Sequence, residues 1–143
     1  MAELDSELIG KVFESSTPVT ISGAMIEGFC KSIGVPVEHD TDGTIIAPLS
    51  ISGSIRAAED IFDYLPQNQR RLLGSMELDF VKRIRAGDQL HVSSQVAEVY
   101  EKTGRSGGLI FTVIRTVLTN QSGEVVTRID HRFTHRKAVA KAE

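Results

Sequence analysis

QLHVSSQVAEVYEKTGRSGGLIFTVIRTVLTN, residues 89–120, is the stretch that decides the fold. Its first half alternates, with Leu90, Val92, Ser94 and Val96 on one face and polar residues between them. That period of two belongs to a strand with one buried side. GRSGG, residues 104–108, is a strong hairpin signal, and the LIFTVIRTVLTN that follows is rich in β-branched residues. The same period extends outward in both directions. Upstream, Met76, Leu78 and Phe80 alternate with Glu77, Asp79 and Val81, and the turn RAGD, residues 85–88, follows. Downstream, the turn NQSG, residues 120–123, leads into EVVTRIDHRFTHR. Four long consecutive strands joined by short turns predict an antiparallel meander.

The N-terminal half has a helical period instead. Residues 19–34 read as a short helix with Ser22 as N-cap. Met25, Ile26, Phe29, Cys30 and Ile33 fall at i, i+3/i+4 spacing, and Gly34 stands where a terminating glycine belongs. A second helical pattern follows Pro48 and runs over residues 50–65, with Ile51, Ile55, Ile61, Phe62 and Leu65 as its apolar positions and Pro66 as its stop. Gly53 inside it costs about 1 kcal/mol against Ala, which implies that something approaches its backbone closely. Long strands need a cover, and this segment is the substantial apolar one available. The fold class read from the pattern is α+β, a curved antiparallel sheet wrapped round a central helix.

The 143 residues form a single-domain length, with one domain over residues 1–136 and an Ala/Lys-rich, disordered tail over residues 137–143. A formal charge of −3 leaves no basic footprint for nucleic acid. The single cysteine, Cys30, excludes a disulfide framework and fits a reducing compartment. The opening MAELDSELIG lacks a basic region and an apolar region, so no signal peptide is read. No apolar run approaches the roughly 18 residues of a membrane span. The expectation is a cytoplasmic protein without membrane or nucleic-acid partners.

Taken together, MELDFVKRIRAGDQLHVSSQVAEVYEKTGRSGGLIFTVIRTVLTNQSGEVVTR resembles the N-terminal-domain type of MaoC-like dehydratases, which have the hot-dog fold. The resemblance is carried by the YEK-x-GRSG hairpin over residues 99–107 and the TNQ-x-GE-V turn over residues 119–125, in that order, and it covers residues 8–136. It implies a lyase of fatty acid metabolism type, performing (R)-specific hydration of 2-enoyl thioesters of coenzyme A or acyl carrier protein, or dehydration of 3-hydroxyacyl thioesters. It implies no metal or organic cofactor, and a homodimer or a heterodimer with a second hot-dog subunit. In some heterodimers only one subunit carries the catalytic groups.

The reaction needs a base, an acid and donors to the thioester oxygen. The family supplies an Asp and a His from a Gly-Asp-x-Asn-Pro-x-His loop, and a backbone N–H at the start of the central helix. Here the loop reads GVPVEHD: Gly34 matches the motif's Gly, His39 aligns with its His, and Val35 occupies the Asp position. Asp40 or Asp42 is left as a substitute acid, and a solvated polar loop is the alternative reading of the whole stretch. Pro48 has no N–H, so Leu49 or Ser50 must be the oxyanion donor, with Gly53 lining the substrate site. Lys82, Arg83 and Arg85 are candidate contacts for coenzyme A phosphates, against the alternative of a solvated strand end. His91, His131 and His135 fall on strands. His131 and His135 stand about 13 Å apart along one, too far for a shared metal, so no metal site is read. Cys30 reads as an inert core thiol. Three functions follow: an active hydratase using His39 and Asp40, the substrate-binding half of a heteromeric dehydratase, or a hot-dog acyl-CoA thioesterase with Glu59 or Asp60 as its carboxylate.

Overall fold

The computed structural model describes residues 7–56, 61–63, 65, 70–105 and 107–137. Its elements run β1 (Val12–Glu14), β2 (Val19–Thr20), α1 (Gly23–Ile33), β3 (Glu38–His39), β4 (Ile45–Ile46), two short 3-10 helices (Leu49–Ser54 and Ile61–Asp63), β5 (Leu72–Phe80), β6 (Gln89–Gly104), β7 (Gly107–Thr119) and β8 (Val125–Arg136). The period-two segments are strands, and β6 and β7 form the hairpin that their sequence predicts, paired from His91↔Thr119 to Gly104↔Gly107. The architecture is α+β.

The sheet order departs from a simple meander. It is β1-β6-β7-β8-β5, with β2 also pairing with β6. β5 crosses to the far side and pairs antiparallel with β8, from Leu72↔Thr134 to Phe80↔Thr127. The vacated edge of β6 is covered instead by β1 and β2. Register shifts at Val96/Glu98, Leu73/Ser75 and Leu118/Thr119 are the bulges that curve a sheet this long.

α1 begins later than the 19–34 reading, because Val19 and Thr20 are drawn into a strand against Leu90 and Gln89. Its ends follow the sequence signals. Ser22 Oγ accepts from the Met25 N–H at 3.1 Å, and Gly34 takes φ 74°, which a side chain would resist. Ile26 and Cys30 are the residues it buries. They share one core with Ile51 and Ile55 and with Leu90, Val92, Leu118 and Ile129 of the sheet. A second cluster, Ile61, Leu65, Val96 and Ile114, lies further along the same inner face.

The expected continuous helix over residues 50–65 is corrected. The chain forms a 3-10 helix over Leu49–Ser54, turns extended at Ile55 (φ −82°, ψ 123°), and makes a second 3-10 turn at Ile61–Asp63. The composition LSISGS explains the first break. Serines and glycine are poor helix formers, and Ser54 Oγ donates to the Ile51 carbonyl at 2.9 Å, competing with a longer ladder. Apolar spacing survives this change, since Ile51, Ile55, Ile61 and Leu65 are all buried. Residues 57–60 and the tail over residues 138–143 lie outside the described residues.

Candidate active site

Gly34 stops α1, and residues 35–37 lead into the hairpin of β3 and β4, with Glu38↔Ile46 and His39↔Ile45 in register. Its turn is closed by the Asp40 N–H donating to the Thr44 carbonyl at 2.8 Å and the Gly43 N–H to the Asp40 carbonyl at 2.9 Å. Both aspartates serve this turn: Asp40 Oδ1 accepts from the Thr41 N–H at 2.7 Å and Asp42 Oδ1 from the Thr44 N–H at 2.9 Å.

Residues 83–88 run alongside. The Ala47 N–H donates to the Ile84 carbonyl at 2.8 Å, the Ala86 N–H to the Ile45 carbonyl at 2.9 Å, and Ile46 bridges to Arg85. This alignment lays the arginines along the acidic hairpin. Arg83 Nη2 donates to Glu38 Oε2 at 2.8 Å and to the Ala47 carbonyl at 2.9 Å. Arg85 donates through Nη1 to Asp40 and through Nη2 to Asp42 at 2.9 Å. Lys82 Nζ pairs with Glu124 Oε2 at 2.6 Å.

The electrostatics follow from those contacts. The Thr41 N–H and then Arg85 hold the Asp40 carboxyl below its usual range. The Thr44 backbone and side chain, followed by Arg85, do the same for Asp42, and the bond to Asp40 raises Arg85. Asp40 is therefore an ionised acceptor at neutral pH, with no proton to give. His39 is exposed, its backbone is paired with Ile45, and its ring has no hydrogen-bond or ion-pair partner among the described residues. The structure does not assemble His39 and Asp40 as a pair. The three cations expected at coenzyme A phosphates, Lys82, Arg83 and Arg85, face four carboxylates, Glu124, Glu38, Asp40 and Asp42. A polyanion would meet a cluster that is already compensated.

The segment after the hairpin is firmly held. Ala47 is buried, and its carbonyl and N–H are both bonded to residues 83–84. Pro48 then opens the 3-10 helix, and Leu49 and Ser50 are exposed. Neither of their N–H groups donates to an acceptor among the described residues, which leaves them available to an incoming oxygen. Met76 Cε stands 3.4 Å from the place of a Cβ on Gly53, so the close approach expected at this glycine is made by β5.

Other expected residues separate. His91 Nδ1 lies 3.4 Å from Ser15 Oγ, His131 packs edge-on against Phe62, and His135 is buried. No group of three or more His, Cys, Asp or Glu with metal-binding geometry occurs among the described residues. Cys30 is buried as expected. Glu59 and Asp60 lie outside the described residues. The sequence reading missed two buried hydroxyl pairs, Ser52–Thr127 at 2.9 Å and Ser94–Thr116 at 2.8 Å. The available signal was Ser94 and Thr116 standing at inward positions of otherwise apolar strands.

Comparison with known proteins places this geometry. The family model "FAS1-like, dehydratase domain region" matches residues 7–129. No curated protein matches the sequence. Among solved structures, the chain is similar to a MaoC-like dehydratase from Rhodospirillum rubrum, with a TM-score of 0.63 and 21% identity over 92% of this chain and 94% of that one. It is also similar to a chain of the ChsH1-ChsH2 complex from Mycobacterium tuberculosis, with a TM-score of 0.72 and 16% identity over 97% of this chain and 92% of that one. A third, Rv0216 from Mycobacterium tuberculosis, has a double hotdog fold; the TM-score is 0.65 at 14% identity, over 98% of this chain and 46% of that one. At these identities the structures establish the fold, which is the hot-dog fold. The match over residues 7–129 establishes the family: this chain belongs to the FAS1-like dehydratase domain family.

Proposed function

We propose that the chain is the substrate-binding subunit of a heteromeric dehydratase acting on enoyl or 3-hydroxyacyl thioesters, with the catalytic Asp and His supplied by a second hot-dog chain. One observation carries the reading: the carboxylate beside His39 is committed to Arg85 and to its own turn, while Val35 stands where the family has its acid. In this reading Leu49 or Ser50 donates its N–H to the thioester oxygen as charge develops there, and no cofactor is needed. Arg83 and Arg85 act as a clamp that fixes the hairpin and the start of the 3-10 helix. Carrier phosphates then bind elsewhere or displace the loop carboxylates.

A place for the second chain is available. β5 is a terminal strand of the sheet, and Leu72, Leu73 and Phe80 on it are 69%, 51% and 39% exposed. An open edge with exposed apolar side chains invites strand addition by a partner. The similarity to a chain of the ChsH1-ChsH2 complex supports a heteromeric assembly. Co-purification from the native host tests the assembly. The expected result is a second hot-dog chain carrying an Asp and a His in its loop; isolation of a homodimer alone would count against it. Hydrolysis of acyl-CoA, lost in Glu59→Gln, would favour the thioesterase.

A further inference from the structure

The outer face of the sheet carries two ion pairs and one acid left over. Arg115 donates through Nε to Asp130 Oδ1 and through Nη2 to Asp130 Oδ2, both at 2.9 Å. Arg128 Nη1 meets Asp79 Oδ2 at 3.3 Å. Glu77 lies beside these pairs on β5. Its register partner on β8 is Asp130, a like charge whose two oxygens are both taken by Arg115. Glu77 has no hydrogen-bond or ion-pair partner among the described residues, and its exposed carboxylate is left to solvent.

A strand added at β5 changes that position. β5 is a terminal strand of the sheet, so its free side is the one a new strand would cover. LLGSMELDF, residues 72–80, contains two acids and no cation. Beyond the bulge at Leu73/Ser75, Ser75, Glu77 and Asp79 share the outer face. A second copy of this chain, pairing antiparallel about Met76, Glu77 or Leu78, would set Glu77 diagonal to Glu77, opposite Glu77, or opposite Asp79 of that copy. Like charges so placed oppose pairing. A charge on an edge strand is how sheets are kept from joining copies of themselves. The cations that follow β5 are committed elsewhere, since Lys82, Arg83 and Arg85 are paired with Glu124, Glu38, Asp40 and Asp42.

We propose that the β5 edge rejects a second copy of this chain and accepts a strand of a different chain, one that carries lysine or arginine opposite Glu77 between apolar residues that cover Leu72, Leu73 and Phe80. The partner's cation would sit between Glu77 and solvent and offset the like charge of Asp130. The inference rests on the reading of the chain as one half of a heteromeric assembly, and names the chemistry that chooses the other half.

The test is charge reversal at Glu77, whose exposure lets the fold tolerate it. Sedimentation of the purified chain at pH 7 measures self-association, and hydrogen exchange locates the contact. Wild type is expected not to pair through β5. Glu77→Lys should dimerise at least about tenfold more tightly, with protection gained by β5 amides, because the new cation then faces Asp79 of the other copy. Binding of the co-purified second hot-dog chain should weaken about tenfold in Glu77→Lys and by less in Glu77→Gln. A complex with the second chain that Glu77→Lys leaves unchanged would overturn the inference alone. A wild-type homodimer with protected β5 amides would also overturn it, and if no second chain co-purifies the heteromeric reading falls with it.

Discussion

The 3-10 helix that carries Leu49 and Ser50 is pinned to β8 by one buried bond, and removing it has a calculable consequence. Ser52→Ala deletes one hydroxyl and strands that of Thr127, which is 1% exposed and 2.9 Å away. A buried polar group left without its partner costs about 1–3 kcal/mol. Thr127→Val strands Ser52, 2% exposed, for a similar cost. The double variant strands neither and loses only the net worth of the bond, about 1 kcal/mol. The single losses should therefore sum to more than the double loss by about 1 kcal/mol or more. Urea unfolding followed by circular dichroism, with unchanged slopes across the four proteins, measures this coupling. Losses that add to within about 0.3 kcal/mol would refute the claim that this bond anchors the helix.

Arg85→Met should free the hairpin turn, seen as faster hydrogen exchange of the Asp40 and Thr44 amides while amides in the β6–β7 hairpin keep their protection. Acid should do the same in the wild type. Asp40 and Asp42 have folded values below the ordinary 3.8, so their contribution is complete above that pH and is lost as pH falls through the folded values. Protection of the Thr41 and Thr44 amides should hold above pH 3.8 and fall as the pH is taken below it, and protection that rises on acidification below 3.8 would contradict the clamp. Gly34→Ala should cost about 1 kcal/mol in the same urea assay, because φ is 74° while the site of the added methyl is open.

Much of this fold is written in short-range patterns. Ser22 and Gly34 bracket α1, and alternation marks each strand of the β6–β7 hairpin, because those signals act between near neighbours. The partner of β5 was not legible. Alternation says that Met76 and Leu78 face a core, but it is equally satisfied beside β6 or beside β8. The 50–65 segment misled because apolar spacing there suits a helix, whereas LSISGS favours a tight turn and local serine bonds. The arginine clamp joins residues about 45 positions apart, so neither Arg83 nor Arg85 carries a local sign of its partner. A faint one existed: acids at 38, 40 and 42 and arginines at 83 and 85 share a period of two, as neighbouring extended segments require. Val35 in the place of an acid belongs to the proposed reading, and to it the structure adds that Asp40 and Asp42 are both bonded to Arg85.

The most direct test of the account is turnover of crotonyl-CoA and a longer enoyl-CoA by the purified chain, alone and with the second hot-dog subunit. No hydration above buffer is expected from the chain alone. Turnover should appear when the partner is added, and His39→Ala should leave that rate unchanged. Robust hydration by the chain alone, abolished by His39→Ala, would contradict it.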